Sequence, residues 1–198
     1  MPAVAARRRL APAEFVEWEL RQEEKHEYHR GEVFLMAGGT EPHARIISNA
    51  HFALRLALRD SGCAVYTDAL GVRVEAEDLF TYPDLSVVCG EPAFFDATRT
   101  RLLNPSGLVE VSSPSTEAYD RTVKGRFYRR IPSLRAYVLV SQDAPAVDVL
   151  TPEGEGWHLA TERDGRVGIG PLGLTLDLAD LYEGVAFPER GALDRPRP

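Results

Sequence analysis

The sequence predicts an α/β protein with a central mixed β-sheet flanked by helices. Two observations lead to this prediction: several apolar segments have helical periodicity, and short apolar runs of strand length alternate with them between turn residues. At 198 residues the chain is long enough for one domain with a sizeable core. We expect that domain to span residues 10–187, with a flexible arm at 1–9 and a disordered tail at 188–198.

Three main helices are predicted from apolar residues that recur every three to four positions. The first spans residues 12 to about 24, because Pro12 suits the first turn of a helix. The second spans residues 42 to about 60 and is followed by Gly62, a residue typical of helix ends. The third begins at residue 115 or 116 and runs to about residue 130, just before Ile131-Pro132.

Strands are predicted where four to eight apolar or β-branched residues lie between turn signals. A tight turn at Arg30-Gly31 joins two short strands within residues 27–36. Further strands are predicted at 63–67, 70–75, 84–89, 108–112 and 136–140. Residues 91–105 could hold a short helix, and 178–182 another. Residues 147–150 and 157–161 are expected to form a β-hairpin extension near the end of the domain.

Composition and charge exclude several classes of protein. The net charge is −7 and the pI about 5.3, so the chain as a whole does not attract nucleic acid or anionic membranes. No apolar stretch reaches the length of a membrane span, and the arginines at 7–9 are not followed by a signal-peptide core. Cys63 and Cys89 show no paired or metal-binding spacing. They are expected to be reduced core residues of a cytoplasmic protein.

Two acidic residues lie inside apolar runs that have the pattern of buried strands. Asp84 follows Pro83 and opens one run, and Glu110 lies in the middle of another. Burying a carboxylate is unfavourable unless it is paired or binds a metal. Adjacent strands could bring the two carboxylates together, and a divalent cation would relieve their repulsion. Oxygen ligands favour Mg²⁺ or Mn²⁺.

Lys124 completes this pattern, in a chain with only two lysines and twenty-one arginines. A lysine offers a compact ammonium that arginine cannot supply. Two acids and an ammonium are a minimal set for metal-assisted attack on a phosphodiester. Each residue also has a structural alternative: Asp84 could cap a strand, and Glu110 could pair with an arginine. Lys124 could pair with Asp120, four residues before it, at a solvated surface.

These segments resemble the Uma-two family of restriction-endonuclease-like proteins, within the PD-(D/E)XK nuclease superfamily. The resemblance covers about residues 10–185. Its most specific part comprises the stretch 110–116 followed by Asp120, Lys124 and Tyr128. Weaker matches are found at 27–33, at 38–43 and at 82–84.

The resemblance implies a restriction-endonuclease-like core and an Mg²⁺-dependent enzyme that hydrolyses DNA phosphodiester bonds. In such a site Asp84, Glu110 and the carbonyl of Val111 would hold Mg²⁺ or Mn²⁺. Glu27 would complete or orient the metal shell, although it could equally be an exposed strand acid. Lys124 would orient the attacking water.

One position departs from the superfamily pattern. The superfamily places a lysine where this chain has Ser112. The Uma-two family is similar in lacking that lysine and in carrying one on the following helix, which corresponds to Lys124. The departure also favours an alternative: a nuclease-fold protein that binds nucleic acid or assembles without cutting. A second alternative is a metal-dependent phosphohydrolase acting on a small substrate.

Contacts with substrate are expected from four residues: Arg121, Arg126, His43 and Ser112. Arg121 and Arg126 belong to a basic cluster with Lys124, Arg129 and Arg130. The cluster could bind a nucleic-acid backbone, or it could simply balance an acidic protein. No element that reads base sequence is visible. Nucleases of this fold often act in pairs, so a homodimer is expected.

Overall fold

The structure is a computed structural model that describes residues 9–113 and 116–187. The expected N-terminal arm, apart from residue 9, and the expected tail at 188–198 therefore lie outside the described residues. Five α-helical segments are present: α1 (Pro12–Glu19), α2 (Glu41–Ala57), α3 (Glu117–Tyr119), α4 (Gly125–Tyr128) and α5 (Leu178–Leu181). A π-helical segment, Asp120–Lys124, joins α3 to α4. Residues 117–128 are called the site helix below.

Thirteen strands are formed by the described residues. The first seven are β1 (His26–His29), β2 (Glu32–Leu35), β3 (Cys63–Thr67), β4 (Gly71–Val74), β5 (Leu79–Thr81), β6 (Leu85–Cys89) and β7 (Arg101–Leu102). The remaining six are β8 (Gly107–Ser112), β9 (Ala136–Ser141), β10 (Val147–Glu153), β11 (Gly156–Glu162), β12 (Arg166–Ile169) and β13 (Leu174–Asp177).

The strands divide between two larger sheets and a separate hairpin. The five-stranded sheet has the order β2-β1-β5-β4-β7, and the six-stranded sheet has the order β11-β10-β9-β8-β6-β3. Both sheets are mixed, because β4 pairs with β7 and β8 with β9 in parallel, whereas the other neighbours are antiparallel. The pair β12-β13 stands apart. The mixed α/β class is as predicted, with two sheets where the sequence suggested one.

Helix α2 covers one face of the six-stranded sheet. Its buried residues Ile46, Ala50 and Leu54 recur every four positions, as in an amphipathic helix. They pack in one apolar cluster with Val109 and Val111 of β8. Because side chains alternate along a strand, Leu108 and Glu110 point to the opposite face.

The opposite face of β8 looks into the space between the two sheets. Leu108 packs there with Val72 of the five-stranded sheet and with Phe127 and Tyr128 of the site helix. Glu110 therefore projects into the region where both sheets and the site helix meet.

Three local predictions are wrong. Residues 91–105 contain the two-residue strand β7 and a bridge from Phe94 to Leu102 rather than a helix. Helix α1 ends at Glu19 instead of about residue 24. The next amides turn back early, from Arg21 to the Trp18 carbonyl and from Gln22 to the Glu19 carbonyl, so the helix closes in a tight turn.

The third correction concerns the cysteines, which form a disulfide instead of being reduced. The antiparallel register of β3 and β6 places Cys63 directly opposite Cys89, with a Cα–Cα distance of 3.9 Å. Strand pairing brings the two thiols together, and a sequence separation of 26 residues gives no sign of it. Among the described residues, no helix combines the length and apolar character that crossing a membrane requires.

Candidate active site

Lys124 lies at the centre of the candidate site. It ends the π-helical segment and is 8% exposed. Its Nζ lies 3.1 Å from Oε1 of Glu110, 3.2 Å from Oε1 of Glu27 and 3.9 Å from Oδ1 of Asp120. Burial lowers the pKa of Lys124, but these three carboxylates outweigh it, and the pKa is raised well above its ordinary value. The ammonium is therefore charged and enclosed, which excludes a solvated pair of Lys124 with Asp120.

Glu110 is a buried acid with two donors on one oxygen. Its Oε1 accepts hydrogen bonds from the Tyr128 hydroxyl at 2.6 Å and from Lys124 Nζ at 3.1 Å. Burial, followed by the charges of Asp84 and Asp120, raises its pKa to about 8, although Lys124 and the Tyr128 hydroxyl act in the opposite direction. The ionised form of Glu110 is thus disfavoured and would be stabilised by further positive charge.

Glu27 reaches the same ammonium from the five-stranded sheet. It lies in β1, is 4% exposed and is therefore not the exposed strand acid that the sequence allowed. The hydroxyl of Thr81, at the end of β5, donates to Glu27 Oε1 at 2.5 Å. The same hydroxyl lies 3.3 Å from that of Tyr128, which bonds Glu110. Polar side chains thus link the two sheets across Lys124.

Asp84 lies beside Glu110 at the start of β6. The antiparallel register pairs Leu85 with Val109, and its continuation by one residue places Asp84 opposite Glu110. The backbone N–H of Val111 donates to Asp84 Oδ2 at 2.7 Å. This bond holds the carboxylate against β8 and leaves Asp84 only partly buried, at the mouth of the site.

His43 also contacts Asp84, with its Nε2 3.5 Å from Asp84 Oδ2. The hydrogen bond to Asp84 raises the pKa of His43, although burial opposes it. The ring is placed by the start of α2, where the Thr40 side chain caps the helix by accepting from the His43 amide at 3.4 Å. Gly39 leaves room for the ring, because a Cβ there would lie 2.7 Å from His43 Nδ1.

The site helix brings a fourth acid, Asp120, into the buried region. Asp120 is 4% exposed, and burial raises its pKa despite nearby Lys124. The helix can approach β9 closely because a Cβ at Gly125 would lie only 3.3 Å from the Tyr137 ring. The Tyr137 hydroxyl donates to the Asp120 carbonyl at 3.1 Å. π-Helical turns inside α-helices are frequent at functional sites.

The residues present fit a divalent cation with hard oxygen ligands. Among the described residues, no three side chains of His, Cys, Asp or Glu are arranged to hold a metal ion by themselves. Mg²⁺ needs fewer, because it keeps several waters and commonly takes one or two protein carboxylates. Asp84 and Glu110 supply two carboxylates on adjacent strands. Val111 offers a backbone carbonyl beside them; its N–H donates to Asp84, and its backbone also hydrogen-bonds His43. These oxygen donors are of the kind that Mg²⁺ and Mn²⁺ prefer.

The four predicted substrate contacts lie in different surroundings. Arg121 pairs with Asp148 and, at 3.0 Å, with Glu117, so its charge is largely compensated. Arg126 is exposed and has no ion pair with any described residue. Ser112 is 4% exposed at the end of β8. His43 contacts Asp84, which is a predicted metal ligand.

Two contributors to the site were not found from the sequence. Thr81 bonds Glu27 and approaches Tyr128, and Tyr119 lies close enough to Glu27 for that charge to raise its pKa, after the larger effect of burial. The sequence contains only a weak indication that Thr81 belongs to the site. Thr81 precedes Tyr82-Pro83-Asp84, but β5 has only three residues and shows no alternation to reveal it.

Comparison with known proteins identifies relatives along almost the whole chain. A family model named Uma2, with the description "Putative restriction endonuclease", matches residues 12–180. Two proteins of Synechocystis sp. (strain ATCC 27184 / PCC 6803 / Kazusa), called "Uncharacterized protein slr1290" and "Uncharacterized protein sll1609", are 34% and 32% identical to this chain. The first match covers 90% of this chain and 94% of the relative, and the second covers 83% and 93%.

A solved structure has the same fold. It is a crystal structure from Anabaena variabilis ATCC 29413, described as "a putative nuclease belonging to DUF820". The TM-score is 0.69 at 19% sequence identity, and the match covers 89% of this chain and 99% of that chain. This similarity confirms the predicted fold class, and the family model confirms the resemblance inferred from the sequence.

Proposed function

This chain belongs to the Uma2 family, and we propose that it is an Mg²⁺- or Mn²⁺-dependent endonuclease that hydrolyses phosphodiester bonds in DNA. One observation carries the proposal: the ammonium of Lys124 is buried between Glu110 and Glu27, and Asp84 lies opposite Glu110 at the start of the neighbouring strand β6. An enclosed lysine among surplus carboxylates serves phosphoryl chemistry better than it serves stability, since buried ion pairs contribute little to stability.

Each residue has a separate role in this proposal. Asp84 and Glu110, with the Val111 carbonyl, would hold the cation, which would supply Lewis-acid polarisation of the phosphate and activation of water. Lys124 offsets negative charge on the pentavalent transition state and orients the attacking water. Glu27, fixed by Thr81, holds the ammonium over Glu110.

The proposed reaction is hydrolysis of a phosphodiester bond. The oxygen of one water forms a bond to phosphorus while the ester bond to one sugar oxygen breaks. The water supplies the proton that the departing sugar oxygen finally carries, and the products are a phosphate monoester and a hydroxyl. No oxidant or second co-substrate is needed.

A cleavage assay tests the proposal. Purified protein is incubated with supercoiled plasmid, single-stranded DNA and RNA, with Mg²⁺, with Mn²⁺ or with EDTA, beside Asp84→Asn and Lys124→Met. We expect DNA cutting that needs the metal and is absent from both variants. Equal cutting by the variants would assign the activity to a contaminant and contradict the proposal.

The structure also supports a second candidate: a nuclease-fold protein that binds nucleic acid or assembles without cutting. In its favour, Ser112 replaces the superfamily lysine, and Lys124 already engages the carboxylates of Glu27 and Glu110. Binding of DNA without cutting in every metal condition would select this candidate. Turnover of nucleotides alone would select a phosphohydrolase of small substrates.

We further propose that the protein acts as a homodimer. Two copies would allow both strands of a duplex to be cut. Light scattering of the purified chain measures the mass directly. A dimer mass is expected, and a monomer mass over the working concentration range would reject this part of the proposal.

A further inference from the structure

A cavity of about 250 Å³ opens beside the candidate active site. It lies between the five-stranded sheet and the site helix, and Glu27 forms part of its wall. Most of the remaining wall is apolar and is formed by Phe34, Leu79, Val123 and Phe127. The cavity and the active site therefore share Glu27, and whatever occupies the cavity lies against the partner of buried Lys124.

Two further polar groups border this apolar wall. His29 lines the cavity, and its Nε2 is buried without a hydrogen-bond partner among the described residues. An unpaired buried ring nitrogen is costly and calls for a partner. Tyr119 also lines the cavity, half-buried, and the charge of Glu27 acts on its hydroxyl. Apolar walls with a few convergent polar groups are typical of small-molecule sites.

The wall is suited to a planar ring with a polar edge. The His29 and Phe127 rings lie against each other with centroids 5.1 Å apart, and Phe34 and Tyr119 add further aromatic surface. Nucleic-acid bases that leave the stack are held by aromatic side chains and by hydrogen bonds to their edges. A base is joined through its sugar to the phosphate beside it, so a phosphodiester at Lys124 would bring a base within reach of this wall.

We propose that this cavity binds one unstacked nucleobase of the DNA strand whose phosphodiester lies at Asp84, Glu110 and Lys124. The inference rests on the proposed function, because it takes the substrate from there. Phe34 and Phe127 provide apolar contact for the ring, and rotation of the His29 ring would bring its Nε2, which is buried in the free protein, to the edge of the base. Because removing a base from a duplex costs stacking and pairing energy, single-stranded or locally unpaired DNA is the preferred substrate.

The test measures binding in EDTA, so that it does not depend on catalysis. The probe is a short fluorescein-labelled single strand of DNA, compared with the same strand in which every base is replaced by an abasic sugar. Val123→Phe fills the cavity, and Thr122→Phe adds the same ring at the neighbouring exposed position. Anisotropy should show that Val123→Phe weakens binding of the normal strand roughly tenfold, the size of one base–aromatic contact. Thr122→Phe should bind like the wild type.

The abasic strand provides the second arm. It should bind weakly and equally to the wild type and to Val123→Phe. If it binds the wild type as tightly as the normal strand does, or if Val123→Phe does not weaken binding, the cavity does not hold a base. His29→Phe keeps an aromatic ring and removes the nitrogen. Single strands that each carry one type of base should therefore differ less in their affinity for His29→Phe than in their affinity for the wild type. A stronger affinity for the corresponding RNA strand would overturn the choice of DNA.

Failure of this inference is distinguishable from failure of the proposed function. Metal-dependent cutting combined with unchanged binding by Val123→Phe would leave the nuclease proposal standing and reject the base site. Weakened binding by Val123→Phe in a protein that cuts nothing would support the base site and select the binding protein described above. Thermal unfolding of each variant shows whether it is folded, and His29→Phe provides an independent change if Val123→Phe is not.

Discussion

At the scale of single residues, the surroundings of Lys124 decide what the site can do. Its ammonium lies within 4 Å of Glu27, Glu110 and Asp120, so three acids share one cation. The sequence identified Glu110 and Lys124 because one interrupts an apolar run and the other is rare in this chain. For Glu27, named through the family resemblance, the sequence left an exposed strand acid as the alternative, because its burial depends on β5 lying beside β1.

Replacing Lys124 by Met should reduce both stability and activity. The change leaves Glu27 and Glu110 buried without their cation, which we expect to cost about 3–5 kcal/mol of unfolding free energy. Loss of a group that stabilises the transition state should lower the cleavage rate by about a hundredfold or more. Urea unfolding and plasmid cleavage measure the two effects.

The other lysine provides the matched control. Lys25 pairs with Asp68 at the surface, and both side chains are substantially exposed. Lys25→Met should therefore change stability by less than about 1 kcal/mol and leave cleavage intact. Equal behaviour of the two variants would show that the buried position of Lys124 is unimportant.

The pH dependence of stability should report on Glu110 in metal-free protein. Burial raises its pKa from 4.5 to about 8, so between these values the folded protein holds a proton that the unfolded chain releases. The unfolding free energy should therefore fall as the pH rises from about 4.5 to about 8. Urea titrations in EDTA across this range, compared with Glu110→Gln, measure the effect. A wild-type slope no steeper than that of Glu110→Gln contradicts the assignment.

At the scale of elements, the sequence predicted most helices and strands but not the short strands β5, β7, β12 and β13. Helix α2 was recognised from Ile46, Ala50 and Leu54, and β8 from its apolar run. Strand β5 has three residues and β7 two, so neither is long enough to show alternation. The sequence does not reveal the π-helical segment, because over five residues its spacing of side chains differs little from that of an α-helix. The disulfide depends on the register between β3 and β6, which only the fold determines.

Reduction of the disulfide should destabilise the protein. Cys63 and Cys89 close a loop of 26 residues, and releasing such a loop costs on the order of 3 kcal/mol. Thermal unfolding with and without a reductant measures the change, and the melting temperature should fall by several degrees. The double variant Cys63→Ser/Cys89→Ser should melt at the lower temperature of the wild type in reductant, and adding reductant should not change its melting temperature. Insensitivity of the wild type would mean that the two thiols are not joined in solution.

At the scale of the whole molecule, the site exists because two sheets meet. Glu27 and Thr81 come from the five-stranded sheet, Glu110 from the six-stranded sheet and Lys124 from the helix between them. The sequence predicted the fold class, but a single-sheet scheme could not show that Glu27 faces Glu110. The net charge of −7 also limits how nucleic acid can be held. Binding must depend on local cations, since the molecule as a whole repels a polyanion.

Reversing the charge of Arg126 should weaken DNA binding. Among the basic cluster Arg126 is exposed without an ion pair to a described residue, whereas Arg121 and Arg130 pair with acids. Arg126→Glu should lower the affinity for single-stranded DNA and make its salt dependence shallower. Anisotropy titrations at several salt concentrations measure both. Arg163→Glu, an equal change at another exposed position, should have little effect, and similar losses in the two variants would show a merely global effect of charge.

The central claim is that Asp84 and Glu110 share one divalent cation. Electron paramagnetic resonance of free Mn²⁺ during titration with protein measures this directly. We predict one site in the wild type, its loss in Asp84→Asn and its retention in Glu75→Gln, which changes an exposed acid outside the site. Binding of Mn²⁺ by Asp84→Asn with the stoichiometry and affinity of the wild type would contradict the claim.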